Sequence, residues 1–178
     1  MIATDVFDPE LQNMRNRRWK EVFSESAQSD DPDFLNRKAT IVLEHVIQAS
    51  DIVHTVQHWT IYQKWNKRLF QEMYTAYKAG RTDKDPSEGW YKGELWFFDN
   101  YVIPLARKLK ECQVFGASGH EFQDCAYENR IEWEQNGKEI VEEMKREMEG
   151  LSSKNKVLSV ECHKIVDEDD EWTNLMEC

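Results

Sequence analysis

Between Leu35 and Trp59 the chain reads LNRKATIVLEHVIQASDIVHTVQHW, without a single glycine or proline. Its apolar residues fall at 39, 42, 43, 46, 49, 53 and 56, the spacing of a helix that buries one broad face. So long an unbroken run leaves little room for any other fold class, and the same grammar recurs downstream. IYQKWNKRLFQEMYTAYKAGR carries Tyr62, Trp65, Leu69, Met73 and Tyr77 and ends at Gly80, a natural C′ stop. YKGELWFFDNYVIPLARKLKEC predicts a very apolar helix that Pro104 should kink. HEFQDCAYENRIEWEQNGKEIVEEMKREMEG predicts a last amphipathic helix weakened at Gly137. Ahead of all of these, Asp8 and Pro9 supply an N-cap and an N1 proline for a helix to about Phe23.

The connections SESAQSDDPDF, TDKDPSEGW and QVFGASGH carry turn chemistry. Only seven glycines and four prolines occur in 178 residues, and β-branched runs are scarce, so the reading is all-α. After Gly150 the chain turns polar and then acidic, ending in KIVDEDDEW and a short remainder. This divides it into a helical domain over 1–149 and an acidic tail, expected to be mobile, over 150–178.

The net charge of −11 argues against a nucleic-acid surface, which needs clustered Lys and Arg. It leaves room for a nucleotide whose charge is met locally by a metal ion. Cys112, Cys125, Cys162 and Cys178 are widely spaced with no C-x-x-C pair, so reduced thiols and a cytoplasmic setting are expected. MIATDVFDPE meets acid and proline almost at once and resembles no signal peptide. No apolar run approaches the ~20 residues that span a bilayer, and no membrane contact by this segment is expected.

QASDIVHTVQHW concentrates polar chemistry. Read as one helix, it places Asp51, His54 and His58 at i, i+3 and i+7 on a shared face. Carboxylate oxygen and imidazole nitrogen both ligate divalent metals, yet H-E-x-x-H and a cysteine partner are lacking. The polar side of a core helix is the competing reading, and spacing alone leaves both open.

Six landmarks in order take the reading further: ATD (3–5), ASD (49–51), Trp59, YQKW (62–65), ELWFFDNYVIPL (94–105) and NRIEW (129–133). In order and spacing they resemble the C-terminal part of class I 3′,5′-cyclic nucleotide phosphodiesterase catalytic domains, over roughly residues 1 to 135. HTVQHW and YKGEL further resemble the phosphodiesterase domains attached to nucleotide cyclases of algae and other protists. The resemblance implies an HD-type helical bundle whose N-terminal helices are missing from this chain. It implies a site holding zinc together with magnesium or manganese. There the metals clamp the cyclic phosphate and lower the pKa of a bridging water, so that hydroxide attacks phosphorus. A histidine suits the task of protonating the departing 3′ oxygen.

By that resemblance Asp51 stands where the family has a ligand of the tightly held metal. His54 replaces the asparagine that lines the nucleotide pocket, while His58 and His45 match no known ligand. Phe97 matches the phenylalanine that stacks on the purine, and Glu94 replaces the glutamine that holds the purine edge. A glutamine amide donates and accepts, whereas an ionised glutamate only accepts. Guanine presents two adjacent donors, so Glu94 favours cyclic GMP over cyclic AMP. The competing reading turns Glu94 outward or pairs it with Lys92 or Arg107. Trp96 stands where the family has glycine and is expected to crowd the pocket. Trp59, Trp65 and Trp133 are expected in the core.

The two histidines and the His-Asp pair that complete the family's metal site, and its acid histidine, precede the ATD landmark and have no counterpart here. No catalytic residue is therefore expected within this chain, and by itself it should hold no zinc and turn over nothing. The favoured explanation is a fragment of a larger phosphodiesterase whose parent carries a cyclase domain or a membrane anchor. Alternatives from other classes are a catalytically dead helical module that binds partners or a nucleotide, and a scaffold whose acidic tail recruits a basic partner.

Overall fold

The computed structural model describes residues 8–24, 27 and 29–173, with side chains as far as Leu151; the ATD landmark lies outside them. Among the described residues every regular element is helical. The order is α1 (Pro9–Phe23), α2 (Pro32–Asp51), a 3-10 turn (Val53–Val56), α3 (Trp59–Lys78), a 3-10 turn (Pro86–Glu88), α4 (Trp90–Phe97), a π turn (Phe98–Val102), α5 (Ile103–Glu111) and α6 (Ser118–Thr173). From Gly150 the backbone continues α6 to Thr173, through the stretch the sequence reads as a tail.

Local chemistry sets the ends. The Asp8 carboxylate accepts from the N–H groups of Glu10 and Leu11 at 2.8 and 3.2 Å, with Pro9 behind it. Asp31 caps Pro32 in the same manner, so α2 begins three residues before Leu35. α3 closes in a Schellman arrangement: Gly80 N–H donates to Tyr77 O and Arg81 N–H to Ala76 O. The cap requires the left-handed conformation that Gly80 supplies at φ +70°.

Pro104 acts through the preceding turn rather than by breaking the helix. It offers no N–H to the Asn100 carbonyl, and the turn ahead widens to π geometry over Phe98–Val102. A long 3.5 Å contact from Gln12 Nε2 reaches that carbonyl. The outcome is one helical rod, α4 to α5, with a single wide turn in the middle.

α6 lies along α3, α4 and α5, and the main core forms where they meet. Tyr62, Phe70, Tyr74, Phe98, Val102, Ala106, Ala126, Trp133 and Met144 are buried there. Gly137, expected to weaken α6, is instead what lets it pack. A Cβ there would lie 2.9 Å from the Trp133 ring and 3.0 Å from that of Tyr91, while Trp133 Nε1 donates to Tyr91 O at 3.1 Å.

Two faces differ from the sequence reading. The buried stripe of α3 is Tyr62, Asn66, Phe70 and Tyr74. Trp65, Leu69 and Met73 lie on the next stripe and are exposed, Trp65 to 46%; Leu69 and Met73 line a cleft instead of the core. On α2 the buried stripe is Ile41, His45 and Gln48, whereas Leu43 is 60% exposed. α2 packs on α1 and α5 through that stripe, with Phe34 and Glu44 adding contacts to α1, while Leu35, Leu43 and Ile47 are left exposed.

A second, smaller core joins α1, α2 and the end of α5, with Trp19, Val22 and Ile41 buried. His45 completes it, 4.6 Å from the Trp19 ring. Nδ1 sits 2.8 Å from Ile41 O and Nε2 3.1 Å from Lys108 Nζ. Those partners assign a neutral ring that donates from Nδ1 and accepts at Nε2. Burial first, and the Lys108 charge after the opposing Ile41 bond, hold its pKa down at about 4.

Replacing Gly137 by Ala should destabilise the chain by about 1–3 kcal/mol through overpacking, although at an open helix position the same change stabilises by ~1 kcal/mol. A raised thermal midpoint would contradict the packing described. His45 binds its proton more weakly folded than unfolded, so its contribution is present above pH 6.5 and is lost as pH falls toward 4. The full amount is about 3 kcal/mol. Urea midpoints for wild type and His45→Gln between pH 7 and 4 should converge on the acid side; parallel curves would refute the neutral buried ring.

Candidate functional site

The exposed stripe of α3 faces a cleft of about 910 Å³, walled by Leu69 and Met73, by the 82–90 connection with Pro86 and Trp90, and by Glu94, Trp96 and Phe97 of α4. Gly93 keeps one side of α4 open, with nothing within 4 Å of where its Cβ would be. The lining is mainly apolar and aromatic, with Glu94 among its few polar side chains, the composition of a small-molecule pocket.

Glu94 turns neither outward nor toward Lys92 or Arg107. Tyr62 Oη donates to Glu94 Oε2 at 2.6 Å, and Arg107 is engaged by the Tyr127 hydroxyl. Behind Tyr62 the bonds continue: Asn66 Nδ2 donates to Tyr62 Oη at 3.2 Å, and Trp90 Nε1 donates to Asn66 Oδ1 at 3.1 Å. Each donor in this series is oriented by the next, which fixes the Glu94 carboxyl from the core side. Burial pushes the Glu94 pKa up, against the opposing pull of the Tyr62 and Asn66 bonds. Burial and the Glu94 charge push the Tyr62 phenol well up, so Tyr62 stays a donor throughout.

Phe97 stands one turn along from Glu94 and stacks on Tyr101, ring centroids 5.5 Å apart at 14°. It packs partly against the main core and also lines the cleft, so it offers an apolar ring beside a carboxylate. Trp96 is 51% exposed and is one of the residues lining the cleft.

Asp51, His54 and His58 do not share a helix face. α2 ends at Asp51, the chain tightens into 3-10 geometry over Val53–Val56, and His58 becomes the N-cap of α3, accepting from Thr60 N–H at 3.3 Å. Asn129 of α6 holds this break, donating from Nδ2 to Thr55 O at 3.0 Å and to Gln57 O at 2.8 Å. Asp51 is exposed and acts electrostatically on Tyr101. The His54 ring is parallel to that of Tyr62 at 6.4 Å, and burial lowers its pKa. Of the four residues singled out from sequence, Glu94 and Phe97 line the cleft together, whereas Asp51 and His54 lie outside its lining.

Among the described residues no three His, Cys, Asp or Glu side chains come together as a metal-binding group. Asp51 alone does not fit a divalent site, and no such group forms around it among the described residues. No helix among them is long and apolar enough to cross a membrane.

Sequence reading missed Asn66 and Asn129, gave Tyr62 no role beyond the apolar register of α3 and the YQKW landmark, and placed Trp90 at the end of a connection. Asn66 had a signal: four residues from Tyr62 it repeats the buried register of α3 with a polar side chain. Asn129 had none beyond its place in NRIEW, because its partners are backbone carbonyls more than 70 residues away.

No curated protein and no solved structure matches the chain. The profile of the family described as 3′5′-cyclic nucleotide phosphodiesterase matches residues 3–115, well over half of the 178 residues. The match takes in α1 to α5, the cleft, Asp51, Glu94 and Phe97. Members of this family hydrolyse cyclic nucleotides with bound metals. An all-helical chain with this cleft and this match belongs to the 3′,5′-cyclic nucleotide phosphodiesterase family.

Proposed function

We propose that this chain forms the base-binding wall of a phosphodiesterase domain that hydrolyses cyclic GMP in preference to cyclic AMP, yielding the 5′-monophosphate for signal transduction. The observation that carries the reading is Glu94, held by Tyr62 beside the face of Phe97 in the cleft. An ionised carboxylate with one oxygen held from behind still presents acceptors to the adjacent N1–H and 2-amino donors of guanine. Adenine offers no such pair. Phe97 supplies a stacking face, and His54 lies behind Tyr62 as a variant pocket residue.

The zinc and the magnesium or manganese expected in the assembled domain find no complete donor set among the described residues. Asp51 contributes one carboxylate at most, and the contribution of this chain is to bind and orient the base. A cyclase domain in the parent and a cytoplasmic location accompany the reading as expectations. The same missing donor set supports a second reading, a catalytically silent helical module that binds nucleotide or partner.

In the domain that carries this chain, Glu94→Gln should lower the ratio of kcat/KM for cyclic GMP over cyclic AMP by about tenfold, the effect of one well-placed hydrogen-bond discrimination. The wild-type ratio should rise with pH as Glu94 ionises above its raised pKa. On the acid side the protonated carboxyl donates and accepts like an amide and should discriminate less. A ratio unchanged by the substitution would sink the assignment. The 178-residue chain by itself should retain no stoichiometric zinc after dialysis and hydrolyse neither nucleotide; zinc that is retained and then lost in Asp51→Asn would contradict that.

A further inference from the structure

Away from the cleft, α1, α2, the π turn and α5 border a partly open pocket of about 150 Å³. A single water needs roughly 10–15 Å³ on the same measure, so the space admits a polyatomic guest. Its polar lining comprises Arg15 and Asn16 from α1, Gln48 from α2, Tyr101 from the π turn, and Lys108 from α5. Gln48 is 4% and Tyr101 8% exposed, and Gln48 Nε2 and Tyr101 Oη have no hydrogen-bond partner among the described residues. Buried donors left in this condition are uncommon.

Two cations line the same space. Arg15 is buried. Lys108 Nζ donates to Asn16 Oδ1 at 2.7 Å and approaches His45 Nε2 at 3.1 Å, both neutral groups. No carboxylate among the described residues lies within ion-pairing distance of Lys108. Burial holds its pKa down at about 8, with Glu111 opposing. Asp51 is felt at Tyr101, but neither it nor Glu111 lines the pocket.

We infer that this pocket is a binding site for a small tetrahedral oxyanion of the phosphate type. Arg15 and Lys108 supply the charge, and Gln48 Nε2 and Tyr101 Oη donate to its oxygens. Such an anion accepts several hydrogen bonds at once, which is what two orphaned donors require beside a lysine with no carboxylate partner among the described residues. The source is either free phosphate or the phosphoryl group of a nucleoside monophosphate.

The test is titration of the full chain with inorganic phosphate, with chloride at equal ionic strength, and with 5′-GMP, followed by thermal unfolding and by phosphorus NMR linewidth. Phosphate should raise the midpoint saturably by several degrees, and chloride should not. GMP acting as well as phosphate would identify the phosphoryl group as the guest, and GMP without effect would identify the free anion. Lys108→Met and Gln48→Leu should each weaken phosphate about tenfold or more. Tyr101→Phe, which keeps the volume and removes only the hydroxyl, should weaken it even where the others fold poorly. An equal shift with chloride, or variants that bind phosphate as wild type does, would overturn the site.

Discussion

The hydroxyl of Tyr62 is where core and cleft depend on each other. Its ring is fully buried, edge-on to Trp133 and Phe98, and its Oη makes a 2.6 Å bond to Glu94. Taking a carboxylate out of water costs several kcal/mol, and a hydrogen bond to a charged group offsets about 1.5–3 kcal/mol of that. Without Tyr62 the carboxyl would turn to solvent or stay protonated. With it, Glu94 is presented to the cleft in one orientation, and the orientation is as firm as the packing of Trp133 against Gly137 behind it.

The elements around this bond gain their positions from departures from regular helix. α2 ends at Asp51 because the 3-10 turn that follows is tied by Asn129 to α6. That tie sets the start of α3 and therefore Tyr62. On the other side the π turn before Pro104 carries Tyr101, which supports Phe97. Short irregular stretches between long helices thus carry the residues with chemistry, while the helices supply rigidity.

Helix positions and caps were legible from local sequence, because Asp8, Pro9, Gly80 and the apolar spacing act within a few residues of themselves. The registers were not. Trp65, Leu69 and Met73 read as core by hydrophobicity, yet all three are exposed, and Leu69 and Met73 line a cleft that no local pattern announces. The triad of Asp51, His54 and His58 looked like one helix face because nothing in its composition signals a break that a residue in α6 enforces. Glu94 was recognisable as chemically meaningful from its place in ELWFF. Its bond to Tyr62 was not, since the two lie 32 residues apart and the link exists only after packing.

The most direct test of the account is photoaffinity labelling of the phosphodiesterase domain that carries this chain with 8-azido-cyclic GMP, mapped by mass spectrometry. Label on the walls of the cleft, within residues 69–97, and protection by unlabelled cyclic GMP at lower concentration than cyclic AMP, is the predicted result. Label elsewhere, or equal protection by both nucleotides, would contradict the assignment of this cleft as the guanine-reading wall.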